Sequence, residues 1–115
     1  MREISCGDKT IVIKGNPPAL LYYKQEFNSG LLNDLVSMVG GMDGLNKKAE
    51  EFDFGSIDFV LLLQIVWAMA KAGEGNKKFP KFQTWLETLG DDFEISEEFL
   101  VAAMEEATRG FFRTG

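Results

Sequence analysis

The sequence contains no histidine and only one cysteine, Cys6, among its 115 residues. Without histidine, neither a Ser-His nor a Cys-His catalytic pair can form, and the ordinary zinc sites are excluded as well. A lone cysteine also rules out an intrachain disulfide. We therefore expect a protein that is not an enzyme, that binds no metal or cofactor, and that works in a reducing cytoplasm.

Basic residues are also scarce relative to acidic ones. Lysine and arginine number 12 against 18 aspartates and glutamates, which gives a formal net charge of −6 and a pI of about 4.6. A nucleic-acid-binding protein must neutralise phosphates with clustered basic side chains, so this balance argues against such a partner. The first ten residues contain no apolar run, and no secretory signal is predicted there.

Long apolar runs are missing too, with one near-exception at residues 57–70. A membrane span needs roughly 20 mostly apolar residues. This run is shorter, and Asp58 interrupts it, so it predicts a helix that is buried on several sides rather than a membrane anchor. We expect no membrane partner.

The composition favours one domain over residues 1–115, because 45% of the residues are hydrophobic and the length is typical of a single core. Short β-rich runs at its start predict a hairpin over residues 2–14, with Gly7 and Asp8 as a two-residue turn and Ile4 opposite Ile11. The remaining segments have helical periodicity over residues 17–112. The predicted fold is α+β and mostly helical, an N-terminal β-hairpin followed by about five helices.

The first two helices have recognisable boundaries. Asn16 is a suitable N-cap, Pro17 suits the first helical position, and Gly30 is expected to end the helix in a left-handed conformation. A second helix is predicted over residues 31–39.

The later helices follow the same logic. Ser56 is expected to cap the central helix, with Asp58 in its first turn. After Pro80, a helix should bury Phe82, Trp85, Leu86 and Leu89. Ser96 should cap the last helix, whose apolar stripe contains Phe99, Ala103, Ala107 and Phe111, and whose other face pairs Glu105 with Arg109.

Ser56 leaves one alternative function open. A serine at a helix start in a small acidic protein is similar to the phosphopantetheine site of acyl and peptidyl carrier proteins. Those proteins place an aspartate directly before the serine, whereas this chain has Gly55 there, so an N-cap is the simpler interpretation. A generic protein-interaction domain is the third alternative.

The order of elements resembles one known family. The hairpin "ISCGDKTIVIK" precedes a helix that ends in "EF" and is followed by a glycine, Gly30. Then come an apolar helix, "FVLLLQIVWAMAKAG", and the segment "FPKFQTWL". This order is similar to that of the tail assembly chaperones of long-tailed bacteriophages and prophages. The Pro17-Pro18 pair and the long charged segment of residues 41–53 depart from the pattern.

The resemblance implies a non-enzymatic function. Such chaperones bind the tape measure protein and keep it soluble while the tail tube assembles, and they are absent from the mature virion. It implies a host cytoplasmic protein whose partners are the tape measure protein and, as a further candidate, the tail tube protein, and it allows a homo-oligomer. We expect the partner-binding residues on the terminal helix, at Phe99, Met104, Phe111 and Phe112. The family often also makes a longer product by ribosomal frameshifting, here near residues 109–112.

Overall fold

The computed structural model describes residues 2–6, 9–38, 58–75, 78–89 and 96–111, except for the side chains of Ser5, Cys6 and Lys9. Within these residues lie two strands and five helices, which confirms the predicted α+β, mostly helical fold. Their bounds are β1 Arg2–Cys6, β2 Lys9–Ile13, α1 Pro17–Phe27, α2 Leu31–Met38, α3 Phe59–Glu74, α4 Phe82–Leu89 and α5 Glu97–Phe111.

The two strands form an antiparallel hairpin in the predicted register. Ile4 pairs with Ile11, and Arg2 pairs with Ile13. Ile4, Ile11 and Ile13 are buried on one face, where the hairpin packs against α3 and α5. The predicted Gly7-Asp8 turn lies outside the described residues.

The central helix α3 is apolar nearly all round, and the structure buries it on several sides as predicted. It packs against β2, α1, α2 and α4. Its buried residues are Leu62, Ile65, Val66, Trp67, Ala68, Met69 and Ala70. The same hydrophobic cluster contains residues from both strands and from every described helix.

An aromatic cluster joins α1, α3 and α4. The ring of Phe27 lies 4.8 Å from that of Tyr23, 5.5 Å from Trp67 and 5.1 Å from Phe82, measured between centroids. The Trp67 indole N–H donates a 3.0 Å hydrogen bond to the carbonyl of Pro80. Tilted and edge-on ring pairs of this kind add to the stability that burial alone provides.

Two predicted helix boundaries are wrong. Helix α1 ends at Phe27, and its left-handed C-cap is Asn28, not Gly30: Asn28 has φ 53° and ψ 37°, and its N–H donates to the carbonyl of Lys24. Asparagine tolerates this left-handed conformation better than most residues, which explains why no glycine is needed. Helix α3 begins after Asp58, whose side chain accepts hydrogen bonds from the N–H groups of Val60 and Leu61. Asp58, rather than Ser56, is its N-cap.

The other boundaries agree with the sequence. Asn16 caps α1 through its side chain, Pro17 is its first residue, and Ser96 caps α5 by accepting from the N–H of Phe99. Of the four residues predicted to be buried on α4, Trp85 and Leu89 are buried, whereas Phe82 and Leu86 are half-buried against the same core. The predicted partner of Glu105 is wrong, because Glu105 binds Arg2 of β1 at 2.7 Å instead of pairing with Arg109.

Candidate partner-binding surfaces

An open groove runs beside β1 and has a volume of about 520 Å³. One wall is the strand itself, and the other is the first two turns of α5. Its lining residues are Arg2, Glu3, Ile4, Glu97, Glu98, Val101 and Ala102. Acidic side chains therefore surround an apolar floor.

The outer edge of β2 is covered by α3. The carbonyl oxygen of Val12 lies against Gly73, so close that a β-carbon built at residue 73 would be 2.6 Å from it. Two residues later, the N–H of Lys14 donates to the carbonyl of Met69 at 3.0 Å. The outward-pointing backbone groups of β2 thus face a helix.

The outer edge of β1, on the opposite side of the hairpin, differs from that of β2 in what lies beside it. In an antiparallel pair, residues directly opposite each other both point their N–H and C=O groups inward or both point them outward. Glu3 is opposite Val12, whose carbonyl faces away from β1 toward α3. The backbone groups of Glu3 must therefore point away from β2, and no third strand lies beside them in the described part of the chain.

The charges around the groove are mostly negative. Glu3, Glu97 and Glu98 are exposed. Arg2, the one basic residue among the described lining residues, donates to the Glu105 carboxylate at 2.7 Å. Because this positive charge already has a carboxylate partner, the groove presents a net negative potential to solvent.

A second candidate surface lies at the start of α3, and we call it the α3 apex: Phe59, Val60 and Leu63. Phe59 and Val60 are 41% and 59% exposed, and Leu63 is half-buried. Leu63 follows Phe59 by four residues and Val60 by three, so the three side chains share one face of the helix. Leu21 on α1 is also well exposed, at 56%.

The predicted partner-binding residues differ in their exposure to solvent. Phe99 and Met104 have no solvent exposure and belong to the core. A partner could contact them only if α5 moved. Phe111 is half-buried at the end of α5, and Phe112 lies outside the described residues. Among these residues, only Phe111 is described with part of its side chain at the surface.

A partly buried polar cluster links α1, α2 and α3, and no sequence pattern predicted it. The Tyr23 hydroxyl donates to Asp34 at 2.7 Å, and Gln64 Oε1 lies 3.2 Å from the same phenol oxygen. Ser29 donates to the same Asp34 oxygen at 2.9 Å. Burial, followed by the hydrogen bond to Asp34 and its negative charge, raises the pKa of Tyr23 far above its usual range. The sequence pattern that could have indicated this cluster is the presence of isolated polar residues on otherwise apolar helical stripes.

Other kinds of site receive little support from the geometry. Within the described ranges, no group of three or more Cys, Asp or Glu side chains is arranged to hold a metal ion. None of the helices in those ranges combines the length and apolar character needed to cross a bilayer. Ser56, the carrier-type candidate, and Cys6, the single cysteine, lie where the structure describes no side chain.

Comparison with protein-family models, with curated proteins and with solved structures found no match for this chain.

Proposed function

We propose that this protein is a tail assembly chaperone of the long-tailed phage type, which binds the tape measure protein and keeps it soluble while the tail tube assembles. The tail tube protein is a further candidate partner. The protein then acts without enzymatic chemistry in the host cytoplasm and leaves before the virion is complete. The resemblance described above supports this function, and the α3 apex is the structural observation that carries it.

The α3 apex has the chemistry that such a chaperone needs. A long helical partner exposes apolar stripes until it is enclosed, and those stripes must be covered by apolar side chains of another protein. Phe59 and Val60 expose large apolar groups within one helical turn, and Leu63 extends the same face. The rest of the protein has a net charge of −6, which keeps the complex soluble.

Co-expression tests this proposal. The gene is co-expressed with each neighbouring gene whose product is long and predicted to be mostly helical, and the soluble fraction of that product is measured after centrifugation. We expect the wild type to raise the soluble fraction and the double variant F59S/V60S to lose most of that effect. The matched control is Leu21→Ser, which replaces an equally exposed leucine on α1.

The outcomes separate clearly. Equal partner solubility with the wild type and with F59S/V60S, both folded by circular dichroism, would remove the α3 apex from the proposal. In that case F111A/F112A tests the terminal helix in the same assay. If no neighbouring product becomes more soluble with the wild type, the chaperone function itself is contradicted.

A further inference from the structure

We propose that the groove beside β1 binds an extended, basic segment of a partner protein as a third strand of the sheet. This inference concerns a different surface from the α3 apex, and it does not depend on the phage function. It rests on three observations: an open strand edge, an apolar floor at that edge, and acidic walls.

The open edge provides the main-chain hydrogen bonds. The N–H and C=O of Glu3 point away from β2, while the equivalent edge of β2 is occupied by Met69 and Gly73 of α3. Edge strands readily pair with an added extended chain, because that chain satisfies a row of backbone donors and acceptors at once. Within the described residues, only one edge of the hairpin is available for this.

The apolar part of the groove determines which side chains of the added strand fit there. The apolar residues of the groove lining are Ile4 from the strand and Val101 and Ala102 from α5. Side chains of a strand alternate between its two faces, so every second residue of an added strand would point toward this floor. The groove volume of about 520 Å³ can hold side chains of the size of valine or threonine.

The acidic side chains of the groove favour a positively charged segment. Among the described lining residues, Glu3, Glu97 and Glu98 are acidic, and the one basic residue, Arg2, is paired with Glu105. Lysine or arginine in the added segment would be attracted to the three carboxylates. A second copy of this chain is a poor occupant, because its β1 would bring another Glu3 toward the same acids and because each copy carries a net charge of −6.

A synthetic strand tests the pairing directly. The probe is a fluorescein-labelled peptide of about seven residues, which is a usual strand length. In this peptide lysine alternates with valine or threonine. Binding to the full chain is followed by fluorescence anisotropy, and the amide of Glu3 is followed by nuclear magnetic resonance. We expect saturable binding at low salt, weaker binding at high salt, and a shift of the Glu3 amide.

Backbone methylation distinguishes strand addition from simple charge attraction. Two further peptides carry N-methyl groups on alternate residues, one on the odd and one on the even positions. Only one set of amides can face β1, so one peptide should lose binding roughly tenfold and the other should keep it. Equal affinity of the two methylated peptides would overturn the proposal.

Variants of the protein test the charge selection. The double variant E97Q/E98Q should weaken binding roughly three- to tenfold, since each exposed charge contributes modestly. The matched control E74Q/E87Q changes the net charge equally but alters exposed acids outside this groove, and it should bind like the wild type. F59S/V60S should also bind normally, which keeps this result separate from the proposed function.

Three other results would overturn the proposal. The first is tight binding of a peptide in which every lysine is replaced by glutamate. The second is concentration-dependent self-association in analytical ultracentrifugation that protects the Glu3 amide, since the occupant would then be a second copy. The third is no binding of the basic peptide at any tested concentration while the protein is folded.

Discussion

Gly15 and Gly110 meet backbone to backbone where the chain leaves the hairpin and crosses α5. A β-carbon built at Gly15 would lie 2.7 Å from the carbonyl oxygen of Glu106 and 3.2 Å from the Cα of Gly110. The same crossing is held by a 2.8 Å hydrogen bond from the Gly15 N–H to Glu106 Oε2. This contact brings α5 against the hairpin and so shapes the groove beside β1.

Gly110→Ala is therefore expected to destabilise the protein by about 1 to 3 kcal/mol, because its new methyl group would collide with the backbone of Gly15. This loss is the net effect after a gain of about 1 kcal/mol in helix propensity. Gly30→Ala is the matched control: its β-carbon would meet only Asn33 Cβ, at an ordinary 3.7 Å. Urea unfolding measures both variants. Equal free energies of unfolding for Gly110→Ala and Gly30→Ala would show that the contact between Gly110 and Gly15 is not tight.

Tyr23 should make the protein sensitive to alkaline pH. Its folded pKa is raised above the unfolded value of about 10, chiefly by burial, so its stabilising effect is fully present below that value. Above about pH 10 the unfolded chain loses the phenol proton while the folded chain retains it. The free energy of unfolding should then fall by about 1.4 kcal/mol per pH unit from this group alone.

The variant Tyr22→Phe isolates this effect, because the chain contains only two tyrosines. In that background the tyrosinate absorbance should rise together with the loss of helical circular dichroism. Tyrosinate formation in a chain that is still fully helical would contradict the prediction. Tyr23→Phe should lose the alkaline slope that this residue contributes. It should also cost about 1 to 2 kcal/mol at neutral pH, since Asp34 loses a buried donor.

Glu26 should stabilise α4 from outside that helix. Its Oε2 atom accepts a 2.7 Å hydrogen bond from the N–H of Phe82, the first residue of α4. We expect Glu26→Ala to lower the free energy of unfolding by about 1 kcal/mol, whereas Glu26→Gln should lose less because it keeps an oxygen acceptor. Gln25→Ala, at an exposed neighbouring position, is the control. Thermal unfolding distinguishes them, and an equal effect of E26A and Q25A would refute the tertiary cap.

Asp58 and Ser56 offer a direct contrast between the structure and the sequence prediction. Asp58→Ala should cost roughly 0.5 to 2 kcal/mol, because the N–H groups of Val60 and Leu61 lose their acceptor. Asp58→Asn should retain most of that stability, and Ser56→Ala should leave it unchanged. The opposite order in thermal unfolding would restore Ser56 as the cap. The carrier alternative is tested by intact-mass measurement after incubation with a phosphopantetheinyl transferase: it requires a mass gain in the wild type that Ser56→Ala abolishes, and an unchanged wild-type mass contradicts it.

Much of the fold could be predicted from local patterns. The alternation around Ile4 and Ile11 predicted both the hairpin and its register, and the apolar run of residues 57–70 predicted a helix buried on several sides. The caps at Asn16 and Ser96 were predicted because each depends on a side chain that bonds to backbone three residues away. Such short-range interactions leave a direct trace in the sequence.

The candidate surfaces were much less predictable. Phe99 and Met104 were expected to contact a partner, yet both are fully buried, because a helical stripe shows which residues share a face and not what that face meets. The α3 apex belongs to a run that looks uniformly buried in the sequence. The groove beside β1 needs α5 and the first strand to come together from opposite ends of the chain.

The sequence by itself therefore determined the types and order of the elements, the hairpin register and the acidic character. Only the tertiary structure decided that Glu105 pairs with Arg2, that Glu26 caps α4 and that Gly15 meets Gly110. The physical reason is the range of the interactions. Local hydrogen bonds and periodic burial depend on neighbours within a few residues, whereas open edges, grooves and distant ion pairs depend on how finished elements pack.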